Sequence, residues 1–484
     1  MKYYVGIDMG TSSLKITLID EVGHVHSQIS QEYDYAMPRE DWREIEPIIW
    51  AEALDSCMKK LRQSQGNDLM QQIAGIGVTG QMHTTVFLDR AGESIRPAIM
   101  WNDNRANDLQ QDIKAQMSDK KSLEQIKRII SSGSPALNLS WLRKYEPENF
   151  QRLDKFIIGP DYLVYWLTGH VGTDYCEAST SSLYDLQNLC WSEEMCQIVG
   201  ISSRHCPQVC ASANIAGQLR ESLVKAWGLN NQVAVVVGTG DNAAAALATG
   251  ADQGKFALMS LGTSGVLLFK RNGFVEAKGK NILFATEDGK PEFLVQGVLQ
   301  SCGRTMNWWV KKILGIEDIA SAFADIDWQT SARKKLLFYP HIMGEKTLYG
   351  NPDLRGAFIG LSESDTRQDM LTAILEGMAF GTRELVEKMN VPPDLMNPLR
   401  FTGGGAANTL WLKIMATVLN VPVQRIKNGG GAGYGAALLA MKQRPKVKEE
   451  IKEIIYPEQD LLACYAEKYN NYLRIHKAIS DILG

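Results

Sequence analysis

Apolar residues at the start of the chain fall into three strand-length runs, residues 3–8, 14–20 and 25–33, separated by Gly10-Thr11-Ser12-Ser13 and by Gly23. Runs of that length broken by turn residues predict an antiparallel meander. In residues 47–61, Pro47 stands at a helix start and Ile48, Ile49, Ala53, Leu54 and Leu61 recur near a helical period, which predicts a helix. Residues 73–79 predict a strand closed by Gly80. From there to about residue 229 helical stretches alternate with short strands, among them a strand at 156–158 and a helix at 162–167 ended by Gly169.

An internal echo organises the rest. Gly6-Ile7-Asp8-Met9-Gly10-Thr11-Ser12 is answered by Met259-Ser260-Leu261-Gly262-Thr263-Ser264-Gly265 about 250 residues later, each copy lying between two strand-like runs. A strand–turn–strand unit repeated half a chain apart predicts two related α/β domains, residues 1–249 and 250–484, with their tips facing a common cleft. The second half predicts a hairpin at 256–270, helices at 365–389 and 409–419, and strands at 399–402 and 421–426. Gly429-Gly430-Gly431-Ala432-Gly433 opens a small-residue helix that must pack closely, and residues 457–483 read as a terminal helix.

Composition narrows the function classes. At 484 residues, 45% hydrophobic and 22% charged, the chain is globular and long enough for two to four domains. Its 51 Lys plus Arg against 55 Asp plus Glu leave a formal charge of −4 with no long single-sign block, which argues against nucleic acid or a membrane surface as partner. No apolar run approaches the roughly 20 residues of a membrane span. Asp8 interrupts the first apolar run where a signal peptide needs an unbroken one, so a cytoplasmic protein is expected. Of eight cysteines, five lie between Cys176 and Cys210, but their spacing does not match paired zinc ligands, and reduced structural thiols are expected.

Candidate chemistry sits at the turns. Glycine-rich turns offer backbone N–H groups and let phosphate oxygens approach closely, and Thr and Ser add hydroxyl donors, so the two Gly-Thr-Ser tips are candidate phosphate sites. No Walker-type P-loop occurs. Gly238-Thr239-Gly240-Asp241-Asn242-Ala243 has a dinucleotide-like spacing, yet Asp241 would repel a pyrophosphate there. As a carboxylate at a helix start, Asp241 suits a general base for a substrate hydroxyl or, equally, a helix N-cap. Asp8 is placed to support Mg²⁺ near phosphates, or else to solvate a hairpin tip. Thr79-Gly80-Gln81-Met82-His83 and Trp101-Asn102-Asp103, followed by Arg105, supply the hydrogen-bonding groups and aromatic face of a sugar pocket, although a lone His after a strand is more often structural.

GIDMGTSSLK from Gly6, GQMH from Gly80, WNDNRA from Trp101, GPDYLVYWLTG from Gly159, GTGDNAAAA from Gly238, SLGTSG from Ser260, GEKTLYGNPDLRGAFIGL from Gly344, and LEGMAFG through FTGGGAANTLWLKIMATVLNVPV together resemble the FGGY carbohydrate kinases over nearly the whole chain. The GQMH and WND pair is most similar to the branch that phosphorylates D-xylulose. The resemblance implies two ribonuclease-H-like domains of the actin, hexokinase and Hsp70 ATPase superfold around a central cleft, sugar on the first domain and ATP on the second. It implies Asp241 as catalytic base, Asp8 as support for Mg²⁺-ATP, and Met82, His83, Asp241 and Asn242 in contact with the ketose, to which the residue chemistry above adds Gln81, Trp101 and Asp103 as candidate sugar contacts. Gly10, Thr11, Ser12, Gly262, Thr263 and Ser264 would hold phosphates, with Gly403, Gly404, Gly405 and Asn408 near the adenosine. The partners expected are a small sugar and ATP, with a homodimer as an open possibility.

The sequence departs from the family pattern at Asn138, where Lys is usual, at Thr84, where Gly follows GQMH, at Thr347-Leu348-Tyr349, and at Pro160. These put the exact sugar in doubt. Ribulose, gluconate or another sugar acid or polyol is the alternative substrate, and Arg105 is the cation a carboxylate could use. A non-catalytic member of the superfold that uses ATP as a switch is the alternative from another class, and a dehydrogenase is third.

Overall fold

The computed structural model describes the chain except residues 119, 231, 276–277, 286–289, 325, 352, 427–429, 442–443, 446–450 and 484. Three strands open it, β1 (Tyr3–Met9), β2 (Ser13–Asp20) and β3 (Val25–Glu32), paired antiparallel as the meander predicts. Helix α1 (Ile48–Gln65) buries Trp50, Leu54, Cys57, Met58 and Leu61 against them. Strand β4 (Ile73–Gly80) then crosses over to lie parallel to β1. A helix of six residues, α2 (Tyr175–Thr180), is capped by Asp174, which accepts the Glu177 N–H. Strands β5 (Ile215–Gln218), β6 (Ala234–Val236) and β7 (Thr239–Gly240) complete the sheet, in the order β5-β6-β4-β1-β2-β3 with β7 also on β4. Helix α3 (Asp241–Thr249) leaves β7 directly. Residues 85–158 add a small sheet with its own core around Phe87, Ile99, Leu137, Trp141 and Phe156.

The second half repeats the plan. Strands β8 (Leu258–Leu261), β9 (Gly265–Arg271), β10 (Lys280–Ala285) and β11 (Pro291–Leu299) are followed by the short helix α4 (Gly303–Asn307) and the long helix α5 (Arg367–Lys388), whose start Thr366 and Asp369 cap reciprocally. Then come β12 (Leu399–Thr402), α6 (Thr409–Leu419), β13 (Val423–Ile426), α7 (Gly431–Leu439), β14 (Ile451–Ile455) and the terminal helix α8 (Leu462–Leu483). The sheet order is β10-β11-β9-β8-β12-β13-β14. In each sheet an antiparallel trio (β3-β2-β1, β11-β9-β8) is joined by two parallel strands (β4 and β6, β12 and β13) and closed by an antiparallel edge (β5, β14). The repeated turn thus marks a repeated topology, with β10 as an added strand on the second copy.

The lobes meet in two places. Helix α7 leaves the second sheet and packs across the first: a Cβ on Gly6 would lie 1.8 Å from the Gly433 carbonyl oxygen, one on Gly77 1.9 Å from that of Ala436, and one on Gly435 1.9 Å from that of Ala244 in α3. Only residues without side chains permit backbones that close. Gly429, which the sequence places at the start of this helix, lies outside the described residues. On the other side of the cleft β10 lies along α2, where the Leu283 N–H donates to Ser179 Oγ at 3.1 Å, and Ile282 and Phe284 share a buried cluster with Met82, Cys176 and Ala243. Among the described residues no helix is long and apolar enough to cross a membrane.

Candidate active site

Three parallel strand ends meet at one point. The register sets Asp8 beside Thr79 and Thr79 beside Thr239, and in the next row Met9 beside Gly80 and Gly80 beside Gly240. Open parallel sheets gather ligands beyond such ends. Because Thr239-Gly240 pairs as strand with Thr79-Gly80, the dinucleotide-like string forms no phosphate loop. Gly240 is the N-cap of α3 and Asp241 the first helical residue, with no side-chain cap bond. The capping role left open by the sequence is therefore not the one Asp241 has here. Its Oδ1 is buried without a hydrogen-bond partner, and burial first, then the Asp8 charge, push its carboxyl up to about 7 against the Asn242 backbone N–H. Burial likewise raises Asp8, opposed by Lys15.

Next to these acids lies a group of buried polar atoms without protein partners: Thr79 Oγ1, both amide atoms of Gln81, His83 Nδ1, Asn102 Oδ1 and both oxygens of Glu177. Buried polar groups are normally paired, so atoms left open together mark where a polar ligand belongs. His83 has φ of 71°, the left-handed region that a non-glycine residue rarely adopts. Its ring donates to the Thr180 carbonyl, and burial, then the Lys280 charge, push its pKa down to about 3. The imidazole is thus neutral and offers Nδ1 as an acceptor. Met82 packs beneath, its Sδ 3.4 Å from Asn242 Nδ2. Trp101 is 45% exposed, and its indole N–H donates to Thr11 Oγ1 at 3.0 Å.

Two expected contributors are spent elsewhere. Asp103 is buried, with Oδ1 accepting from Arg105 N and Nε at 2.8 and 2.9 Å and Oδ2 from Arg105 Nη2 and Arg43 N at 2.8 and 2.5 Å. Arg105 also reaches Glu44 at 2.6 Å and lies over the rings of Trp42 and Trp141. Both side chains hold the fold beside the pocket: the Arg105 guanidinium is fully buried among Asp103, Glu44, Trp42 and Trp141, and each oxygen of Asp103 already accepts two hydrogen bonds. Thr84, the bulkier residue after GQMH, accepts the Trp101 backbone N–H at 3.2 Å and so helps fix that ring. Asn138 is buried and donates to Thr85 Oγ1 at 2.9 Å, Leu348 is core, and Pro160 occupies the first turn of a helix.

The two tips are braced in different ways. At the first, Gly10 N–H donates to Ser13 O at 2.9 Å, Tyr33 N–H to Ser12 O at 3.0 Å, and the Tyr33 hydroxyl to Gly10 O. At the second, Gly262 N–H donates to Ser264 O at 3.1 Å, and the start of α4 closes on the turn through Gly303 N–H to Gly262 O and Arg304 N–H to Thr263 O, both 3.0 Å. Among the described residues the backbone N–H groups of Thr11, Ser12, Thr263 and Ser264 have no protein acceptor, the donor set that anions take from turns. Gly403 has φ of 88° and would place a Cβ 2.7 Å from Leu261 O, while a Cβ on Gly405 would meet Trp411 at 2.6 Å. Gly404 faces open space. Asn408 caps α6 by accepting the Trp411 N–H at 3.1 Å, a structural use of its side-chain oxygen.

For a divalent cation the fit is that of a single protein carboxylate. Among the described residues no cluster of three metal-ligating side chains occurs, whereas Asp8, facing Asp241 and near the open amides, matches how Mg²⁺ takes one or two carboxylates and fills its shell with phosphate and water. Sequence reasoning did not single out Glu177 or Lys280. Glu177 Oε1 lies 3.0 Å from where a Cβ on Gly240 would stand, and burial with the charges of Asp161, Asp174 and Asp241 pushes its carboxyl well up. An acid in the otherwise apolar stretch Tyr175-Cys176-Glu177-Ala178 was the available signal. The cysteines are free thiols, Cys196 and Cys206 lying 3.9 Å apart at sulfur. A depression of about 530 Å³ lined by Lys155, Tyr184, Cys190, Trp191 and Cys206 shares no residue with this site.

Comparison with known proteins gives matches along nearly the whole chain. Residues 3–248 match the profile of the FGGY family of carbohydrate kinases, N-terminal domain, and residues 257–443 that of its C-terminal domain. A xylulose kinase of Staphylococcus xylosus is 32% identical, the match covering 98% of this chain and 100% of that one. A xylulose kinase of Lactococcus lactis is also 32% identical, over 100% of this chain and 98% of the other. The crystal structure of a xyloylose kinase from Brucella ovis superposes with a TM-score of 0.90 at 31% identity, covering 99% of this chain and 100% of that one.

Proposed function

The chain belongs to the FGGY family of carbohydrate kinases, and from that premise we propose that it transfers the γ-phosphoryl group of ATP to the 5-hydroxyl of D-xylulose. The observation that carries this reading is the buried, unpartnered Asp241 Oδ1 beside the open polar atoms of Gln81 and His83. The relatives that are 32% identical over the full chain are xylulose kinases, which favours a ketopentose over the sugar acids. The spent guanidinium of Arg105 points the same way.

In this reading the acceptor is held mainly by residues 1–249 and the nucleotide mainly by residues 250–484. Gln81 donates to and accepts from sugar hydroxyls, neutral His83 accepts one through Nδ1, and Trp101 offers its face to the C–H surface. Asp241 takes the proton of the 5-hydroxyl as that oxygen forms its bond to phosphorus, and the bond to the β–γ bridging oxygen breaks with ADP leaving. The open amides of both tips bind phosphate oxygens. Asp8 would hold Mg²⁺, which when bound neutralises charge on the phosphates. The tips come from separate lobes, so the lobes must close for both to engage, and closure excludes water as a competing acceptor.

The test is ADP release by the purified protein against ketopentoses, aldonates and polyols. D-xylulose is expected to give the highest kcat/KM, with the product phosphate on C5 by ³¹P NMR. A higher kcat/KM for an aldonate or polyol replaces the substrate, and ADP release indifferent to every sugar favours a nucleotide switch.

A further inference from the structure

The cleft has a second wall, built by the C-terminal lobe. Side chains alternate along a strand, so Lys280 shares the face of β10 that carries Ile282 and Phe284. Those two pack on Met82, Cys176 and Ala243, the floor of the acceptor site. The Leu283 N–H to Ser179 Oγ bond fixes β10 against α2, which also supplies the Thr180 carbonyl that holds His83. Lys280 therefore stands on the face of β10 that packs toward the acceptor site, and its charge reaches His83.

The surroundings leave this ammonium short of acceptors. Among the described residues Lys280 has no ion pair or hydrogen bond, and His83 is neutral with its N–H already committed. Burial first, then the charge of Lys346, lower the basicity of Lys280. Lys346 stands in a turn fastened by Glu345, which accepts the Thr347 N–H at 2.9 Å and the Gln300 N–H at 3.3 Å, and by Thr347 Oγ1, which accepts Val298 N–H at 3.1 Å. A partly buried cation with three donors and no acceptor among the described residues has donors to offer to lone-pair oxygen of a ligand.

Resting on the carbohydrate-kinase reading above, we propose that Lys280 is a specificity-determining residue that donates to an oxygen of the phosphoryl acceptor from the side opposite Gln81 and His83. Such an oxygen is a hydroxyl or ketone of a neutral sugar or the carboxylate of a sugar acid. The acceptor then touches both lobes, so its binding reinforces the β10–α2 contact already present and couples sugar recognition to the closed cleft. No comparable cross-lobe contact is open to Arg105, whose donors serve Asp103 and Glu44.

The test uses the full chain and the acceptor that wild type turns over best. Lys280→Met keeps the aliphatic stem and removes the charge. It should lower kcat/KM for the acceptor about ten- to hundredfold, chiefly through KM, with KM for ATP within about twofold. Lys280→Arg should recover part of the loss. If Lys280→Met does not fold by thermal melt, Lys280→Gln is measured in its place. Comparing D-xylulose with an aldonate identifies the oxygen: the larger loss falls on the acceptor whose oxygen Lys280 binds. Acceptor kcat/KM within twofold of wild type, or an equal rise in KM for ATP, overturns the proposal. Failure of D-xylulose as acceptor overturns only the substrate proposed above, because the variants are then compared on the acceptor that wild type does use.

Discussion

The two Gly-Thr-Ser tips are near copies in shape and differ in charge. Each ends a strand at the centre of an equivalent sheet, and each leaves two turn amides open. Aligning the copies sets Asp8 of β1 against Ser260 of β8, so only the first tip carries an acid. The helices after the last parallel strands differ in the same sense. Helix α3 begins with Asp241, whereas α7 begins Gly431-Ala432-Gly433 and uses its small residues to pack on the first lobe. The two halves thus share the turn, and both acids, Asp8 at the turn and Asp241 at the helix start, lie in the first half. In the proposed reaction one lobe would hold the reacting hydroxyl and handle its proton, while the other would present neutral donors to the nucleotide.

Exchanging the sensitivity of the two tips would break this comparison. Asp8→Asn should cut turnover about 10²- to 10³-fold, as loss of a charge-stabilising group in a transition state does, whereas Ser260→Ala should stay within about threefold. Steady-state kinetics of the two variants decide it, and equal losses would mean the tips share the work. The acid pair also predicts a pH profile. With Asp241 near 7, the base is protonated in acid, so kcat should rise with pH through neutrality. The residual activity of Asp8→Asn should show that midpoint at lower pH, because the charge that raises Asp241 is gone; an unmoved midpoint would assign it elsewhere.

Smaller effects sharpen the second tip. Gly403→Ala puts a Cβ 2.7 Å from the Leu261 carbonyl oxygen at positive φ and should cost about 1–3 kcal/mol in urea unfolding. Gly404→Ala meets nothing within 4 Å and should stay within about 0.5 kcal/mol. A larger cost at Gly404 would show that the turn is packed differently. Trp101→Phe removes the 3.0 Å bond to Thr11 Oγ1 from a half-exposed ring, and a neutral hydrogen bond is worth about 0.5–1.5 kcal/mol, so KM for ATP should rise only about two- to tenfold.

Much of the fold was readable because its signals are local. Turn glycines delimit the opening meander, the long stretch at 365–389 reads as the helix that α5 forms, and a strand–turn–strand echo announces the repeat. The crossover that sets β4 beside β1 was not readable, since strand adjacency depends on the path of residues between. The site divides the same way. Asp8, Gln81, His83 and Asp241 stand at strand ends that the sequence marks with glycine. Asp103 and Asn408 carry the residue types that a ligand site uses, but Arg105 two residues on and the Trp411 N–H three residues on take their oxygens, local competition that residue type alone does not reveal. Lys280 and Glu177 were missed for a related reason: one meets the pocket from the other lobe, and the other lies under Gly240 across more than 60 residues of chain.

The central claim is that Asp241 is the base of a phosphoryl transfer between the lobes. The most direct measurement is the rate of D-xylulose-dependent ADP release by Asp241→Asn, with ATP binding measured in parallel by calorimetry. The account predicts a loss of at least about 10²-fold in kcat with ATP affinity within about twofold of wild type. Turnover near the wild-type rate would contradict it.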